Sequence, residues 1–291
     1  MEVKTLPKGE MEGYTEVLSK KLIIKIMNKK VLGFLIAGSA AIVFASTTAT
    51  ILPTGVGAYS TWTPSTGTTH YTLVDESSCN GTTDYVSTTV NGNRDSYAVS
   101  VSSVPNGSVI TGISLTPCAS KTTSSGTSNM AVFYRLNGTN SADSTTYTLS
   151  GTKPVDLSSS SYTGLAVTKN SSTTLEIGAI LSSGTTGARL SRIATVITYT
   201  SIPSAPFNPH TTVSSSTNVT LAWTDLSSDE TGFVIDRGTD GVNFSSLATT
   251  TANVTSYFDG GLTTGTYYYR LRSYNVAGYS GYSSTTSAVI P

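Results

Sequence analysis

The sequence predicts an all-β protein with two sandwich domains in tandem, preceded by an N-terminal signal helix. Ser (45) and Thr (51) make up about a third of the 291 residues, and charged residues are only 12%, against about 25% in average soluble proteins. Short alternating apolar runs separated by Gly, Asn and Pro fill residues 58–200 and recur after a proline-rich segment. No segment after residue 45 has a helical period of useful length. This combination favours strands joined by many turns.

The N-terminus has the pattern of a secretory signal peptide. Seven of the 17 Lys and Arg residues lie in the first 30 positions. An uncharged apolar segment then runs from Val31 to Ala45 and ends in a small-x-Ala cleavage site. We therefore expect residues 1–45 to direct export and the remainder to be secreted or held at the cell surface. Met27 is followed by Asn-Lys-Lys and the apolar run, so we expect translation to begin there.

A retained membrane anchor is the alternative for this segment. The uncharged stretch extends to Ala58, which is long enough to span a bilayer, but Thr residues, Pro53 and Gly55 dilute its second half. If the signal is not cleaved, we expect membrane contact only through residues 31–50. A nucleic-acid partner is not expected, because 17 basic residues balance 17 acidic residues and a basic stripe is absent.

The chain contains two cysteines, Cys79 and Cys118. In an exported protein an even number of cysteines indicates a disulfide. Two unpaired buried thiols are the alternative, because the sequence does not give the distance between the two Cα atoms. A zinc site is not expected, since the sequence has neither a CxxC motif nor a His cluster.

A polar linker is predicted over residues 46–57, followed by a sandwich over 58–200. Asn-Gly between alternating runs is a strong hairpin signal. About eight strands at this spacing resemble, in pattern, the jelly-roll sandwiches found in carbohydrate-binding modules. The predicted strands are His70–Val74, Asp84–Val90, Asp95–Val101, Val109–Thr116, Met130–Asn137, Thr145–Ser150, Thr174–Leu181 and Ala188–Thr200.

Three prolines in residues 201–209 mark a domain boundary, because proline cannot continue a sheet ladder. The segment that follows, residues 203–291, has the length of a small sandwich. Its motifs, in order and spacing, resemble those of a fibronectin type III domain. They are VTLAW at 219–223, TGFVIDR at 231–237, Asp240-Gly241, LTTGTY at 262–267 and YRLRSYN at 269–275.

The fibronectin type III resemblance implies a core and a function. Trp223, Tyr269 and Leu271 are expected to point between two sheets. Tyr267 is expected to be the corner tyrosine whose hydroxyl bonds back to the backbone, although this corner is one residue shorter than the family pattern. The resemblance implies an adhesion, spacing or protein-contact module rather than an enzyme.

Aromatic side chains are the strongest candidates for ligand contact. Tyr and Trp offer a flat apolar face with a polar edge, which suits sugar rings and partner proteins. Most of them are also expected in the core, so the two interpretations remain open for each residue. The candidate ligand-binding residues are Trp62, Tyr71, Tyr85 and Tyr279.

The loop Val74–Asp84 is the most acidic part of the first domain, and calcium is the one cofactor considered. Asp75, Glu76 and Asp84 are its candidate ligands. The loop lacks the regular alternation of an EF-hand, so three solvated carboxylates are the alternative.

The sequence favours an exported, non-catalytic protein for adhesion or polysaccharide contact, with a polysaccharide or a surface protein as partner. A passive structural subunit of a surface layer or appendage is the alternative. A glycoside-acting enzyme is a third hypothesis, because such enzymes need two carboxyl groups and the first domain has candidates for them. No motif pairs any two of these carboxylates, and neither His70 nor His210 lies near a nucleophile motif. The carboxylates are Asp75, Glu76, Asp84, Asp95 and Glu176.

Overall fold

Strands dominate the computed structural model, which describes residues 32–33, 44–79 and 83–291. The prediction of an all-β protein is confirmed. The chain divides into two units, one containing Thr47–Ser201 and the other containing Ile202–Pro291.

The strands up to residue 201 are β1 (Leu32–Gly33), β2 (Phe44–Thr47), β3 (Pro53–Ser60), β4 (Thr63–Pro64), β5 (Val86–Thr88), β6 (Arg94–Val99), β7 (Val109–Lys121), β8 (Ser128–Leu136), β9 (Thr139–Asn140), β10 (Tyr147–Thr148), β11 (Val155–Asp156), β12 (Ser160–Thr168), β13 (Leu175–Gly184) and β14 (Ala188–Thr200), with one turn of 3-10 helix, η1 (Tyr71–Leu73), between β4 and β5. The strands after residue 201 are β15 (Phe207–Ser215), β16 (Asn218–Thr224), β17 (Gly232–Gly238), β18 (Ser245–Thr249), β19 (Ser256–Gly260), β20 (Gly265–Asn275), β21 (Gly278–Tyr279) and β22 (Thr286–Ile290).

Eight strands of the first unit form two antiparallel sheets: β5, β6, β7, β8, β10, β12, β13 and β14. Their order is β5-β14-β7-β12 in one sheet and β6-β13-β8-β10 in the other. The first strand of the eight therefore lies beside the last, and the second beside the seventh. This is the strand order of a jelly roll, and we call this part the jelly-roll unit. Strand β3 extends the second sheet beyond β6.

Alternating apolar side chains fill the space between the two sheets. On β13, Leu175, Ile177, Ala179 and Leu181 are buried in one core cluster. Side chains of the opposite sheet, such as Ile193, belong to the same cluster. Each fully buried Leu or Ile contributes about 1.5–3 kcal/mol relative to an exposed position, which explains why the period-2 pattern of the sequence specifies these strands.

Three segments differ from the predicted strands. His70–Val74 contains the turn η1 instead of a strand, because the Leu73 N–H donates to the His70 carbonyl at 3.1 Å and closes a 3-10 turn. Pro53–Ser60 forms β3, although residues 46–57 were predicted to be a linker. Ser160–Thr168 forms β12 without having been predicted at all. Strands β3 and β12 lie at sheet edges, where about half of their residues are exposed and only one of them is buried, so they show little apolar alternation.

Cys79 and Cys118 form a disulfide, as predicted, with their Cα atoms 5.6 Å apart. The bond ties the long segment between β4 and β5 to β7, whose Cys118 side chain is fully buried. It therefore holds an irregular segment against a central strand of the sheet.

The second unit is a sandwich of two sheets. One has the order β15-β16-β19, and the other has β18-β17-β20-β22. This is the three-plus-four arrangement of a fibronectin type III fold, as the sequence resemblance implied. We call it the fibronectin unit.

The core of the fibronectin unit contains the aromatic residues named from the sequence. Trp223, Tyr269 and Leu271 are buried together, and Trp223 packs edge-to-face on Phe233 with ring centroids 5.4 Å apart. The Tyr267 hydroxyl donates to the Thr263 carbonyl at 3.0 Å, four residues upstream. This bond closes the corner that leads into β20.

The predicted signal helix lies largely outside the described residues. Within Val31–Ala45 only Leu32–Gly33 and the first residues of β2 are described, and both are extended. In the described part of the chain, no helix is long and apolar enough to cross a membrane.

Candidate ligand-binding site

A bulge in the edge strand β3 opens a cleft in the jelly-roll unit. Val56 pairs with Tyr97 on β6, and the next pair is Ser60 with Asp95. Three residues of β3 therefore lie opposite one residue of β6, Ser96. Bulges of this kind bend an edge strand and redirect its side chains.

Side chains replace the backbone hydrogen bonds that the bulge breaks. The Ala58 N–H donates to Glu176 Oε2 at 2.8 Å, and the Tyr59 N–H donates to Ser96 Oγ at 3.1 Å. The Ser96 hydroxyl in turn donates to Glu176 Oε2 at 2.8 Å. Arg135 holds the other oxygen of Glu176 at 3.0 Å. These side chains specify the bulge, since they provide acceptors for the amides of Ala58 and Tyr59.

Gly57 allows the close approach of the two strands at the start of the bulge. A Cβ atom at this position would lie 2.4 Å from the Ser96 carbonyl oxygen. Because that neighbour is backbone, any larger residue requires β3 and β6 to separate. At Gly55, two residues earlier, a Cβ would meet only the Ala98 Cβ at an ordinary 3.5 Å.

The cleft lies between the bulge and η1 and has a volume of about 310 Å³. Tyr59 and Tyr71 line it from β3 and η1. The Tyr59 ring packs edge-to-face on Phe133, with centroids 5.9 Å apart, and its hydroxyl accepts a hydrogen bond from Asn140 at 2.8 Å. The remaining lining residues are Val56, Gly57, Ser60, Thr68, His70, Ser96 and Tyr97.

A hydrogen-bonded group of three side chains lies beside the cleft. His70 Nδ1 is 2.7 Å from Asp95 Oδ2, and the Tyr97 hydroxyl donates to the same oxygen at 2.9 Å. The side chain of Asp95 is fully buried, whereas that of His70 is 15% exposed. In the described part of the chain, His70 Nε2 has no hydrogen-bond partner. His70 is thus fixed in orientation, with one ring nitrogen available for a ligand.

Burial dominates the electrostatics of this group. Desolvation raises the pKa of Asp95, while the hydrogen bond and charge of His70 and the hydroxyl of Tyr97 act in the opposite direction. Burial also raises the pKa of Tyr97, and the adjacent Asp95 carboxylate adds to that effect. Tyr97 therefore remains a neutral donor at physiological pH.

The raised pKa of Asp95 predicts a pH dependence of stability. The folded state favours the uncharged carboxyl, so this contribution is complete below about pH 4, near the ordinary Asp value. It is lost as pH rises through the folded-state pKa. Urea unfolding of the wild type and Asp95→Asn across pH 3.5–6 tests this. We expect wild-type stability to fall relative to the variant as pH rises, and a difference that stays constant or grows would contradict the prediction.

The structure separates the four aromatic candidates for ligand binding. Tyr71 lines the cleft. Trp62 is only 2% exposed and packs in the core, where its Nε1 donates to the Asn93 carbonyl at 3.0 Å. Its interpretation as a ligand contact is therefore wrong. Tyr85 does not line the cleft and is half-buried; the Arg189 guanidinium lies over its ring, 4.7 Å from the ring centroid. Tyr279 belongs to the fibronectin unit.

The candidate calcium ligands are not brought together in the described residues. The one group of three ligand atoms within 4.8 Å there consists of Cys79, Cys118 and Asp156, and its two sulfurs already form the disulfide. Residues 80–82, within the acidic loop, are outside the described part. The backbone of Asp75 forms a bridge with Arg192 instead.

Sequence reasoning missed Tyr59 and the partnership of His70 with Asp95. Tyr59 belongs to the unpredicted part of β3, and Asp95 lies 25 residues beyond its histidine. Glu176, named from the sequence only as a carboxylate, supports the bulge and is half-buried. Three other depressions, of about 380, 480 and 450 Å³, have fewer aromatic side chains in their walls.

No protein-family model and no curated protein matches the sequence. Among solved structures, the chain is similar to the sixth fibronectin type III domain of human fibronectin type III domain containing protein 3, with 26% identity over 32% of this chain and 89% of that chain (TM-score 0.29). It is also similar to an Fn3-like protein from Clostridium thermocellum, with 23% identity over 31% of this chain and 96% of that chain (TM-score 0.28). Against titin kinase and its flanking domains the identity is 21% over 30% of this chain, and the match spans only 17% of that chain (TM-score 0.28).

Proposed function

We propose that this protein is an exported, non-catalytic binding protein whose jelly-roll unit holds part of a saccharide in the bulge cleft. The observation that carries the proposal is the pairing of two half-buried tyrosines, Tyr59 and Tyr71, with the fixed imidazole of His70 in one cleft. Flat rings contact the apolar faces of sugars, and the imidazole and nearby hydroxyls bond to sugar hydroxyl groups.

The position of the carboxylates supports binding rather than hydrolysis. Glycoside hydrolysis uses two carboxyl groups that flank the scissile bond. Among the described residues, those that line the cleft include no Asp or Glu. Asp95 is buried behind His70, and both oxygens of Glu176 accept hydrogen bonds from the protein.

Export is supported by two independent features. The basic segment followed by the apolar run of residues 31–45 is the pattern of a signal peptide. The disulfide between Cys79 and Cys118 fits an oxidising compartment, where such bonds persist. The protein would then meet polysaccharide at the cell surface or outside the cell.

The test is a binding screen of the purified protein against cellulose, xylan, chitin and mannan, in calcium and in chelator. We expect retention on at least one polymer. We expect chelator to leave it unchanged, because the carboxylates considered for calcium do not line the cleft. A negative result with all four from folded protein would contradict the proposal and favour the passive structural subunit.

Paired glycine variants locate the site in the same assay. Gly57→Ala should weaken binding at least tenfold, because the new Cβ forces the bulge away from β6. Gly55→Ala on the same strand should bind like the wild type, since its Cβ makes only an ordinary contact. Tyr71→Ala should also lose roughly tenfold, about 1.4 kcal/mol, and near-UV circular dichroism checks the fold of each variant. Equal binding by Gly57→Ala, Tyr71→Ala and the wild type would place the site elsewhere.

A further inference from the structure

A row of stacked side chains covers the outer face of β20 in the fibronectin unit. Alternate residues of this strand, such as Tyr269 and Leu271, enter the core. The residues between them, Arg270 and Arg272, therefore point to the opposite face. Two tyrosines from the segment that follows, Tyr279 and Tyr282, join them there.

The guanidinium groups and the rings alternate along this row. Arg270 lies 4.3 Å from the centroid of the Phe244 ring and 3.9 Å from that of Tyr282. Arg272 lies 4.7 Å from the same Tyr282 ring and 4.0 Å from that of Tyr279. We call these five residues the arginine–tyrosine strip. Each arginine is held between two rings, which fixes the plane of its guanidinium.

The two arginines differ in their counter-charges. Arg270 forms an ion pair with Asp236, whose side chain is 8% exposed, at 3.3 Å. Within the described part of the chain, the Arg272 side chain has neither a carboxylate partner nor a hydrogen-bond acceptor. The strip therefore carries two positive charges, of which Asp236 compensates that of Arg270, and the uncompensated charge is on Arg272.

The strip also leaves aromatic surface open to solvent. Tyr279 is 52% exposed and Tyr282 is 37% exposed. Tyrosine and arginine are the residue types that contribute most at protein interfaces. A guanidinium that is oriented but lacks an acceptor is suited to bind a carboxylate through two parallel hydrogen bonds.

We propose that the arginine–tyrosine strip binds an extended acidic peptide segment of a partner protein. A carboxylate of the segment would accept two hydrogen bonds from the terminal Nη groups of Arg272, because the Nε atom is buried, and neighbouring side chains would cover Tyr279 and Tyr282. An extended peptide repeats its side chains on one face every second residue, about 6.7 Å. Arg270 and Arg272 have this same two-residue spacing, so carboxylates at alternate positions match the strip in charge and in repeat.

The experiment uses the full protein and three fluorescein-labelled twelve-residue peptides, with fluorescence anisotropy as the readout. One peptide alternates Glu and Thr, the second alternates Gln and Thr, and the third has the same number of Glu residues in one block. We expect the alternating Glu peptide to bind at least tenfold more tightly than either control, and more weakly as salt rises. Equal binding of all three, or binding of none, would overturn the proposal.

Arginine variants test the strip itself. Arg272→Gln should lower the affinity for the alternating Glu peptide at least tenfold. Arg272→Lys should fall between it and the wild type, since an ammonium cannot form the bidentate pair. Arg189→Gln, which removes a stacked guanidinium from Tyr85 in the jelly-roll unit, is the matched control and should bind like the wild type.

Two outcomes of the variant series would overturn the proposal. One is unchanged peptide affinity in Arg272→Gln when its thermal midpoint matches that of the wild type. The other is binding of polygalacturonate that depends on Arg272 while the peptides do not bind, which would assign the strip to an acidic polysaccharide. The strip lies in the fibronectin unit and the bulge cleft lies in the jelly-roll unit, so Gly57→Ala should leave peptide binding intact. Failure of the peptide proposal can therefore be distinguished from failure of the saccharide proposal.

Discussion

Replacing Cys79 and Cys118 with serine is expected to lower the free energy of unfolding of the jelly-roll unit by about 4 kcal/mol. The disulfide closes a loop with a sequence separation of 39 residues, and cross-linking a loop of this length restricts the unfolded chain by about that amount on the chain-entropy model. The loop contains β5, β6 and one wall of the cleft. Loss of the bond therefore affects both stability and the site.

Urea unfolding of Cys79→Ser/Cys118→Ser measures this effect. The chain has two tryptophans, and Trp62 lies in the jelly-roll unit, so a Trp223→Phe background makes its fluorescence specific for that unit. Addition of reductant to the parent protein should give the same loss without a sequence change. A loss below 1 kcal/mol in both experiments would show that the reduced chain keeps the loop in place by other contacts.

Replacing Asp259 with alanine is expected to destabilise the fibronectin unit by about 2–3 kcal/mol. Both carboxylate oxygens accept from Arg237 Nη1 at 2.9 Å, and the buried Tyr269 hydroxyl donates to Oδ2 at 2.8 Å. Asp259 itself is nearly buried. Loss of the carboxylate leaves the buried Tyr269 hydroxyl without this acceptor, which costs about 1–3 kcal/mol. It also removes the counter-charge of Arg237, whose side chain is 32% exposed.

Three variants divide the contribution of this group. Tyr269→Phe removes one hydroxyl and should cost about 1 kcal/mol. Asp259→Asn keeps an acceptor for that hydroxyl and should lie between Tyr269→Phe and Asp259→Ala. Trp223 fluorescence in a Trp62→Phe background reports the unfolding of this unit. If Asp259→Ala costs less than 1 kcal/mol, the group behaves like an exposed ion pair and the interpretation is wrong.

The parts of the fold that bury alternating side chains could be predicted from sequence. The bounds of β14 are those predicted, and β13 follows the alternation from Leu175 to Leu181. The fibronectin unit was identified from the order of its motifs, because its core residues are fixed by packing between two sheets. The disulfide was predicted from an even number of cysteines and from the expectation of export.

The cleft could not be predicted, for physical reasons that apply to each of its walls. Strand β3 is an edge strand that buries few side chains, so it has no apolar alternation, and its bulge depends on Ser96 and Glu176 far along the chain. The pairing of His70 with Asp95 is a tertiary contact across 25 residues. Trp62 lies among Ser, Thr and Pro in sequence, which left open whether it contacts a ligand or covers the core, and the structure buries it in the core.

The imidazole signals of the two histidines give the most direct test of saccharide binding in the cleft. The chain has two histidines, and His70 lies in the jelly-roll unit while His210 lies in the fibronectin unit. We would titrate the ¹⁵N-labelled protein with hexasaccharides of cellulose, xylan, chitin and mannan and record the ring signals of both. The proposal predicts that one oligosaccharide shifts the His70 signals saturably and leaves those of His210 unchanged. Saturable binding with unmoved His70 signals would contradict it.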